Sequence, residues 1–141
     1  MRRRGFTLLE IMLVVGLLAL LAAFAIPNFV GAGEKAKIDM VKGAIGSNGT
    51  IGSSMDLYKF QIGTYPEDLK DLIEKPSDDD VAKKWSGPYL NNKEGLKDPW
   101  GHDFMYQFPG QKNEGGYDLW SVGPDGRDGT DDDIGNWSDD R

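Results

Sequence analysis

The first thirty residues constrain this chain more than any other part of it. Arg2-Arg3-Arg4 precede an apolar run from Phe6 to Val30, interrupted by Thr7, Glu10 and Asn28. Between Ile11 and Ile26 the run carries no polar side chain. As a helix rising 1.5 Å per residue it reaches about 37 Å, enough to cross a hydrocarbon layer ~30 Å thick. Three arginines ahead of it hold that end in the cytoplasm and send the remainder outward.

Glu10 is the anomaly in the run. A carboxylate costs roughly 2.5–3.5 kcal/mol at mid-bilayer on insertion scales, and less near the interface. Neither a secretory signal peptide nor a plain anchor has a use for it. A signal peptide still has support of its own, because the start is basic and Ala23-Phe24-Ala25 offers a small-x-small cleavage site.

The residues Gly5-Phe6-Thr7-Leu8-Leu9-Glu10 resemble the processing site of type IV pilin-like proteins. The resemblance implies that a prepilin peptidase cuts between Gly5 and Phe6, that Phe6 becomes N-methylated, and that Glu10 serves filament assembly. The physics agrees with that expectation. In a low-dielectric filament core, the amine of Phe6 on one subunit would neutralise Glu10 of its neighbour. Residues 1–5 are then a leader, 6–30 a transmembrane and filament-core helix, and 31–141 a globular domain. Loss of the leader removes three arginines and takes the formal net charge from −7 to −10.

The remainder is acidic and has no cysteine: 23 Asp and Glu stand against 16 Lys and Arg in the whole chain of 141 residues. This excludes disulfide staples, thiolate metal sites and thiol chemistry. It also argues against a nucleic-acid partner, whose phosphates call for lysine and arginine.

Glu34, Lys35, Lys37, Asp39 and Lys42 are compatible with a continuing helix. Gly43, Gly46, Gly49 and Gly52 then recur every third residue, each costing about 1 kcal/mol against alanine in a helix interior. Ile38, Met40, Val41, Ile45, Ile51, Met55 and Leu57 still supply apolar positions. The expectation is one continuous helix ending within Met55–Phe60. Pro66–Lys75 suggests a short second helix, with Glu67 and Asp68 in its first turn. Asp78-Asp79-Asp80 reads as a solvated turn or a helix start.

Asp103–Phe108 and Tyr117–Val122 have strand character, separated by a polar hairpin loop from Pro109 to Gly116. The pattern predicts an α+β fold in which a long hydrophobic N-terminal helix carries a small C-terminal antiparallel β-sheet. Asp98-Pro99-Trp100-Gly101, the Tyr106 strand, Tyr117-Asp118-Leu119-Trp120-Ser121 and the Gly/Asp-rich end resemble the major pseudopilins of type II secretion systems. That resemblance implies a pilin-like fold. It implies a single-pass protein of the bacterial inner membrane with its globular domain in the periplasm. It also implies a non-catalytic homopolymer, a helical filament that helps export folded proteins across the outer membrane. Its partners would be minor pseudopilins and an inner-membrane assembly platform.

From Val122 to Ile134 the chain places Asp125, Asp128, Asp131, Asp132 and Asp133 among three glycines. Calcium takes six to eight oxygens from carboxylates, carbonyls and water. The spacing is not that of an EF-hand, because no glutamate follows at the required distance. Spacing alone leaves calcium and a merely solvated acidic loop both open. The pseudopilin resemblance implies one calcium held by the side chains of Asp125, Asp132 and Asp133 and the carbonyls of Val122 and Arg127. Asp128 and Asp131 are local alternatives.

Nothing in the sequence assembles a catalytic constellation. The lone His102 precedes a strand, no serine sits in a strand-to-helix elbow, and no phosphate-cradling glycine motif follows a strand. Trp85, Trp100, Trp120 and Trp137 read as core and loop anchors. Two other classes remain open. One is a subunit of an adhesive, motile or DNA-uptake pilus, which would often close a loop with a disulfide. The other is a secreted calcium-binding module cut after Ala25.

Overall fold

The computed structural model describes residues 6–138, and of 26–30 the backbone alone. The chain divides into two compact units, one ending at Ala36 and the other beginning at Lys37. The first is entirely helical from Leu8 onward. The segment Leu8–Ala25 has a mean hydropathy of 2.6, and none of it is buried. It belongs to α1, Leu8–Ile45, which runs through Pro27.

The long helix does not continue to Phe60 as expected. α1 stops at Ile45, and α2 begins at Thr50 and ends at Ile62. The reason lies in the glycine series. Gly46 N–H donates to the Lys42 carbonyl at 3.1 Å, and Gly49 N–H to the Gly46 carbonyl at 2.7 Å, closing a tight turn. A Cβ on Gly49 would lie 2.1 Å from the Gly43 carbonyl oxygen and 2.3 Å from that of Ala44. A Cβ on Gly52 would lie 2.1 Å from the Gly46 oxygen. These glycines are required by close backbone approach. Gly43 is different: it sits inside α1 with open space where a Cβ would be.

The break rotates the apolar pattern so that both helices feed one core. Val41 and Ile45 come from α1, and Ile51, Met55, Tyr58 and Ile62 from α2, at helical spacing. Gly63, with φ +101°, ends α2 by donating its N–H to the Lys59 carbonyl at 2.8 Å. The expected second helix is only a 3-10 turn, Leu69–Leu72. Asp68 caps it reciprocally with Asp71, and its Leu69 and Leu72 are buried. Asp78 caps the N-terminus of α3, Asp79–Lys84, through Asp80 N and Val81 N, so the acidic triplet is a helix start. A second 3-10 turn spans Lys93–Leu96.

The expected antiparallel sheet is present. β1, Met105–Gln107, pairs with β2, Asp118–Ser121, with Tyr106 opposite Leu119. β2 also pairs with β3, Ile134–Gly135, which the strand signals did not reveal. Fully buried Leu119 on the central strand joins Met55 and Leu72 in the core. Burying each such side chain contributes about 1.5–3 kcal/mol. The tryptophans are half-buried anchors. Trp85 Nε1 donates to the Asp71 carbonyl at 2.7 Å, and Trp120 Nε1 donates to Asp128 Oδ1 at 2.8 Å.

Candidate functional site

The apolar helix opens with a capping box. Thr7 Oγ1 accepts from Glu10 N at 3.2 Å, while Glu10 Oε2 accepts from Thr7 N at 2.9 Å and from Thr7 Oγ1 at 3.0 Å. The pattern Thr-x-x-Glu ahead of an apolar run announces this arrangement, and it was legible in the sequence. Glu10 therefore ends the run's first turn with its carboxylate already turned toward the N-terminus. Phe6 is exposed one residue before this cap. Gly5, the other half of the expected processing site, lies outside the described residues.

At the other end, β2 leads directly into the acidic loop. The turn before β1 is built around Asp98, a buried carboxylate. Its Oδ1 accepts from Trp100 N at 3.0 Å and His102 N at 2.9 Å, and its Oδ2 accepts from Ser121 Oγ at 2.6 Å. Ser121 Oγ in turn accepts from Gly123 N at 3.1 Å. Asp98 thus fastens the Asp-Pro-Trp-Gly turn to the first residues of the loop. His102 belongs to the same scaffold: Nδ1 stands 3.5 Å from Asp98 Oδ2, and a Cβ on Gly126 would lie 2.9 Å from Nε2. Its surroundings are those of a packing residue.

The loop folds around the hydroxyl of Thr130, which spacing did not single out. Thr130 Oγ1 lies 3.1 Å from the Arg127 carbonyl, 3.4 Å from Asp125 Oδ1, and in a short contact with Asp132 Oδ1. A hydroxyl has one proton for these three acceptors. Asp125 N–H also donates to Asp132 Oδ2 at 3.1 Å, and Arg127 N–H to Asp125 Oδ1 at 2.8 Å. The Thr130 hydroxyl, then the Asp125 amide, hold the Asp132 carboxyl below the usual carboxylate range. Gly123, with φ +66°, makes the approach possible, since a Cβ there would meet the Asp132 carbonyl oxygen at 2.5 Å.

Asp125, Asp132 and the Arg127 carbonyl are therefore brought to one place. Asp133 faces a different neighbour: its Oδ2 accepts from Gly129 N at 2.8 Å, and its Oδ1 is buried without a hydrogen-bond partner. Val122 is buried at the loop's start. Asp128 is engaged by Trp120, and Asp131 is exposed. Among the described residues, no three His, Cys, Asp or Glu side chains converge as a ready ligand group. Any ion held here would draw on carbonyl oxygens as well as carboxylates.

A second buried aspartate shapes the hairpin. Asp118 Oδ2 accepts from Gln111 N at 2.7 Å and Lys112 N at 2.8 Å, and Oδ1 from Asn113 N at 2.9 Å. Burial pushes its carboxyl up, but these amides outweigh burial and leave it below the usual range.

Residues 28–137 match the family described as type II secretion system (T2SS), protein G. The chain belongs to that family. Residues 1–26 match the prokaryotic N-terminal methylation motif. The type II secretion system core protein G of Pectobacterium carotovorum is 41% identical, over 97% of this chain and 86% of that protein. Its counterpart in Pseudomonas aeruginosa is 40% identical, over 97% of this chain and 99% of its own length. Among solved structures, the major pseudopilin from the type 2 secretion system of enterohaemorrhagic Escherichia coli is 32% identical. It superposes with a TM-score of 0.64, covering 76% of this chain and 87% of that one. The protein G family thus accounts for the globular unit, the methylation motif accounts for the first residues, and the pilin-like helix-plus-sheet fold is shared.

Proposed function

We infer that this chain is a structural subunit of a type II secretion pseudopilus, made as a precursor anchored in the inner membrane and exposing its globular unit to the periplasm. The observation that carries this reading is the junction of two matches, the methylation motif on residues 1–26 and the protein G family on 28–137. An unburied apolar helix is stable only when covered. Lipid covers it in the precursor, and other copies cover it in the filament. Moving it from lipid to protein changes little hydrophobic energy, so packing and polar contacts set the register.

In this reading a prepilin peptidase cleaves between Gly5 and Phe6, and Phe6 is then N-methylated. The new amine of one subunit pairs with Glu10 of the next, displacing the internal bond to Thr7. The subunit is structural and catalyses nothing. Minor pseudopilins and an inner-membrane assembly platform are its further partners.

Calcium belongs to the same proposal. Asp125, Asp132 and the Arg127 carbonyl would hold the ion, with Val122 and Asp133 contributing as the pseudopilin resemblance implies. Two observations support it: three acceptors crowd one hydroxyl proton at Thr130, and Asp133 Oδ1 is buried without a partner. A bound cation offsets the mutual repulsion of the aspartates and staples a cysteine-free domain.

Mass spectrometry of the mature protein tests the processing step. N-methyl-Phe6 at the N-terminus is expected, and a chain beginning at Ile26 would refute the filament reading in favour of a secreted module. Glu10→Leu is expected to insert in the membrane normally while filament yield falls. Wild-type yield from that variant would refute the role given to Glu10.

A further inference from the structure

The turn that breaks the long helix carries a chemically labile dipeptide. Asn48-Gly49 is the one Asn-Gly step in the chain, and every other asparagine is followed by a residue with a side chain. The backbone nitrogen after an asparagine can attack the side-chain amide carbon, and it does so most readily when that next residue has no Cβ to block the approach. Replacing this glycine is closed to the fold. A Cβ at residue 49 would meet the Gly43 and Ala44 carbonyl oxygens at 2.1 and 2.3 Å. Closing the turn therefore commits the chain to the labile step.

The side chain at that step is open. Asn48 is exposed, and its amide has no hydrogen-bond partner among the described residues. Asn113 and Asn136, in contrast, are bonded to each other at 2.9 Å. The two Asp-Gly steps of the acidic loop are also engaged: Asp125 Oδ1 accepts from Arg127 N, and Asp128 Oδ1 from Trp120 Nε1. A single bond holds Asn48 back. Gly49 N–H donates to the Gly46 carbonyl at 2.7 Å, so its nitrogen cannot reach the Asn48 side chain until that bond opens. Ser47 and Asn48 are exposed and lie between the two helices, which lets the turn open locally.

We propose that Asn48 is a self-modification site, deamidating through a cyclic imide whenever the Gly46–Gly49 turn opens. The Gly49 nitrogen bonds to Asn48 Cγ, the Cγ–Nδ2 bond breaks, and ammonia leaves with the proton given up by the Gly49 N–H. Water then opens the imide. Attack at Cγ yields aspartate, and attack at the main-chain carbonyl yields an isoaspartyl linkage whose backbone runs through Cβ. Water is the only co-reactant, so the step does not depend on the pseudopilus reading. Either product adds a negative charge directly before the N-cap of α2. That helix has no side-chain cap and no acid in its first turn, so the charge faces uncompensated N–H groups at the positive end of the helix dipole.

The test uses the full chain in detergent, incubated at mildly alkaline pH and digested with trypsin beside an unincubated control. The peptide from Gly43 to Lys59 carries Asn48 as its only amide side chain, so exchange of NH2 for OH is read there as a mass gain. Asn48 is expected to convert ahead of every other asparagine, into a mixture of aspartate and isoaspartate. It is expected to do so about tenfold or more slowly than in the excised peptide, because only the open turn reacts. An unchanged Asn48 after the excised peptide has fully converted would overturn the proposal, and so would earlier conversion of another asparagine. Equal rates in the chain and the peptide would overturn the gate. Asn48→Asp fixes one product and is the second arm. Its tryptophan-monitored melt is expected a few degrees above that of the unmodified chain, and a lower melt would overturn the effect assigned to the new charge.

Discussion

A methyl group placed on Gly49 interrogates the break between the two helices. In the folded chain that carbon would sit 2.1 Å from the Gly43 carbonyl oxygen, 2.3 Å from the Ala44 oxygen and 2.6 Å from the Ala44 carbonyl carbon. All three are backbone atoms, so no rotamer change relieves the clash. Gly49 has φ −80° and ψ 171°, an extended conformation open to alanine, so the cost is purely steric. Overpacking of this kind costs about 1–3 kcal/mol. For a unit of this size each kcal/mol moves Tm by about 4–8 °C, so a loss of about 4–24 °C is expected. Gly43→Ala supplies the control. It meets no atom within 4 Å and lies inside α1, so it gains helix propensity, about 1 kcal/mol or a few degrees upward. All four tryptophans lie in the globular unit, so their fluorescence reports its melt in the detergent-solubilised full chain. Opposite signs are expected for the two substitutions. Equal stabilisation by both would mean that the helix runs on through residue 49, and the account of the break would fall.

Further outcomes follow from the polar anchors. Asp118→Ala strands three backbone N–H groups and is expected to cost about 2–3 kcal/mol in the same melt. The folded Asp118 carboxyl titrates below its unfolded value, so its stabilisation is complete above the unfolded pKa, near 3.9, and is lost as pH falls through the lower folded value. The acid limb of the wild-type stability profile should therefore flatten in Asp118→Ala. Chelation is expected to lower the Tm of the wild-type chain and leave Asp132→Ala nearly unmoved; identical wild-type melts in chelator and in calcium would remove the ion from the account. Trp85→Phe loses the Nε1 bond to the Asp71 carbonyl and should cost about 1 kcal/mol.

Some of this molecule was fully legible along the chain. The apolar run, the arginines ahead of it and the acid at position 10 depend on spacing within a few turns, and local spacing is what a sequence displays. The same holds for β1, β2 and their hairpin. Thr7-x-x-Glu10 belongs in this group too, a capping signature contained in four consecutive residues. Other features required the fold. Propensity, a property of each residue alone, makes the glycine series a weak helix. The decisive quantity was the distance from a residue 49 Cβ to carbonyls five and six residues earlier, which exists only once the turn has closed. β3 is two residues long, too short for any periodicity, and forms because β2 offers it an edge.

The acidic loop divides in the same way. Its charge and glycine content are matters of composition. Which oxygens converge is a matter of tertiary contact: Asp98 ties the loop's start to a turn more than twenty residues earlier, and Thr130 gathers Asp125, Arg127 and Asp132 while Asp133 faces Gly129. The sequence by itself determined that this chain must hide a long apolar helix and carry an acidic, cysteine-free domain, because hydrophobicity and charge are sums over residues. Only the tertiary structure decided where the helix stops and which oxygens face one another, because those are distances between residues far apart in the chain.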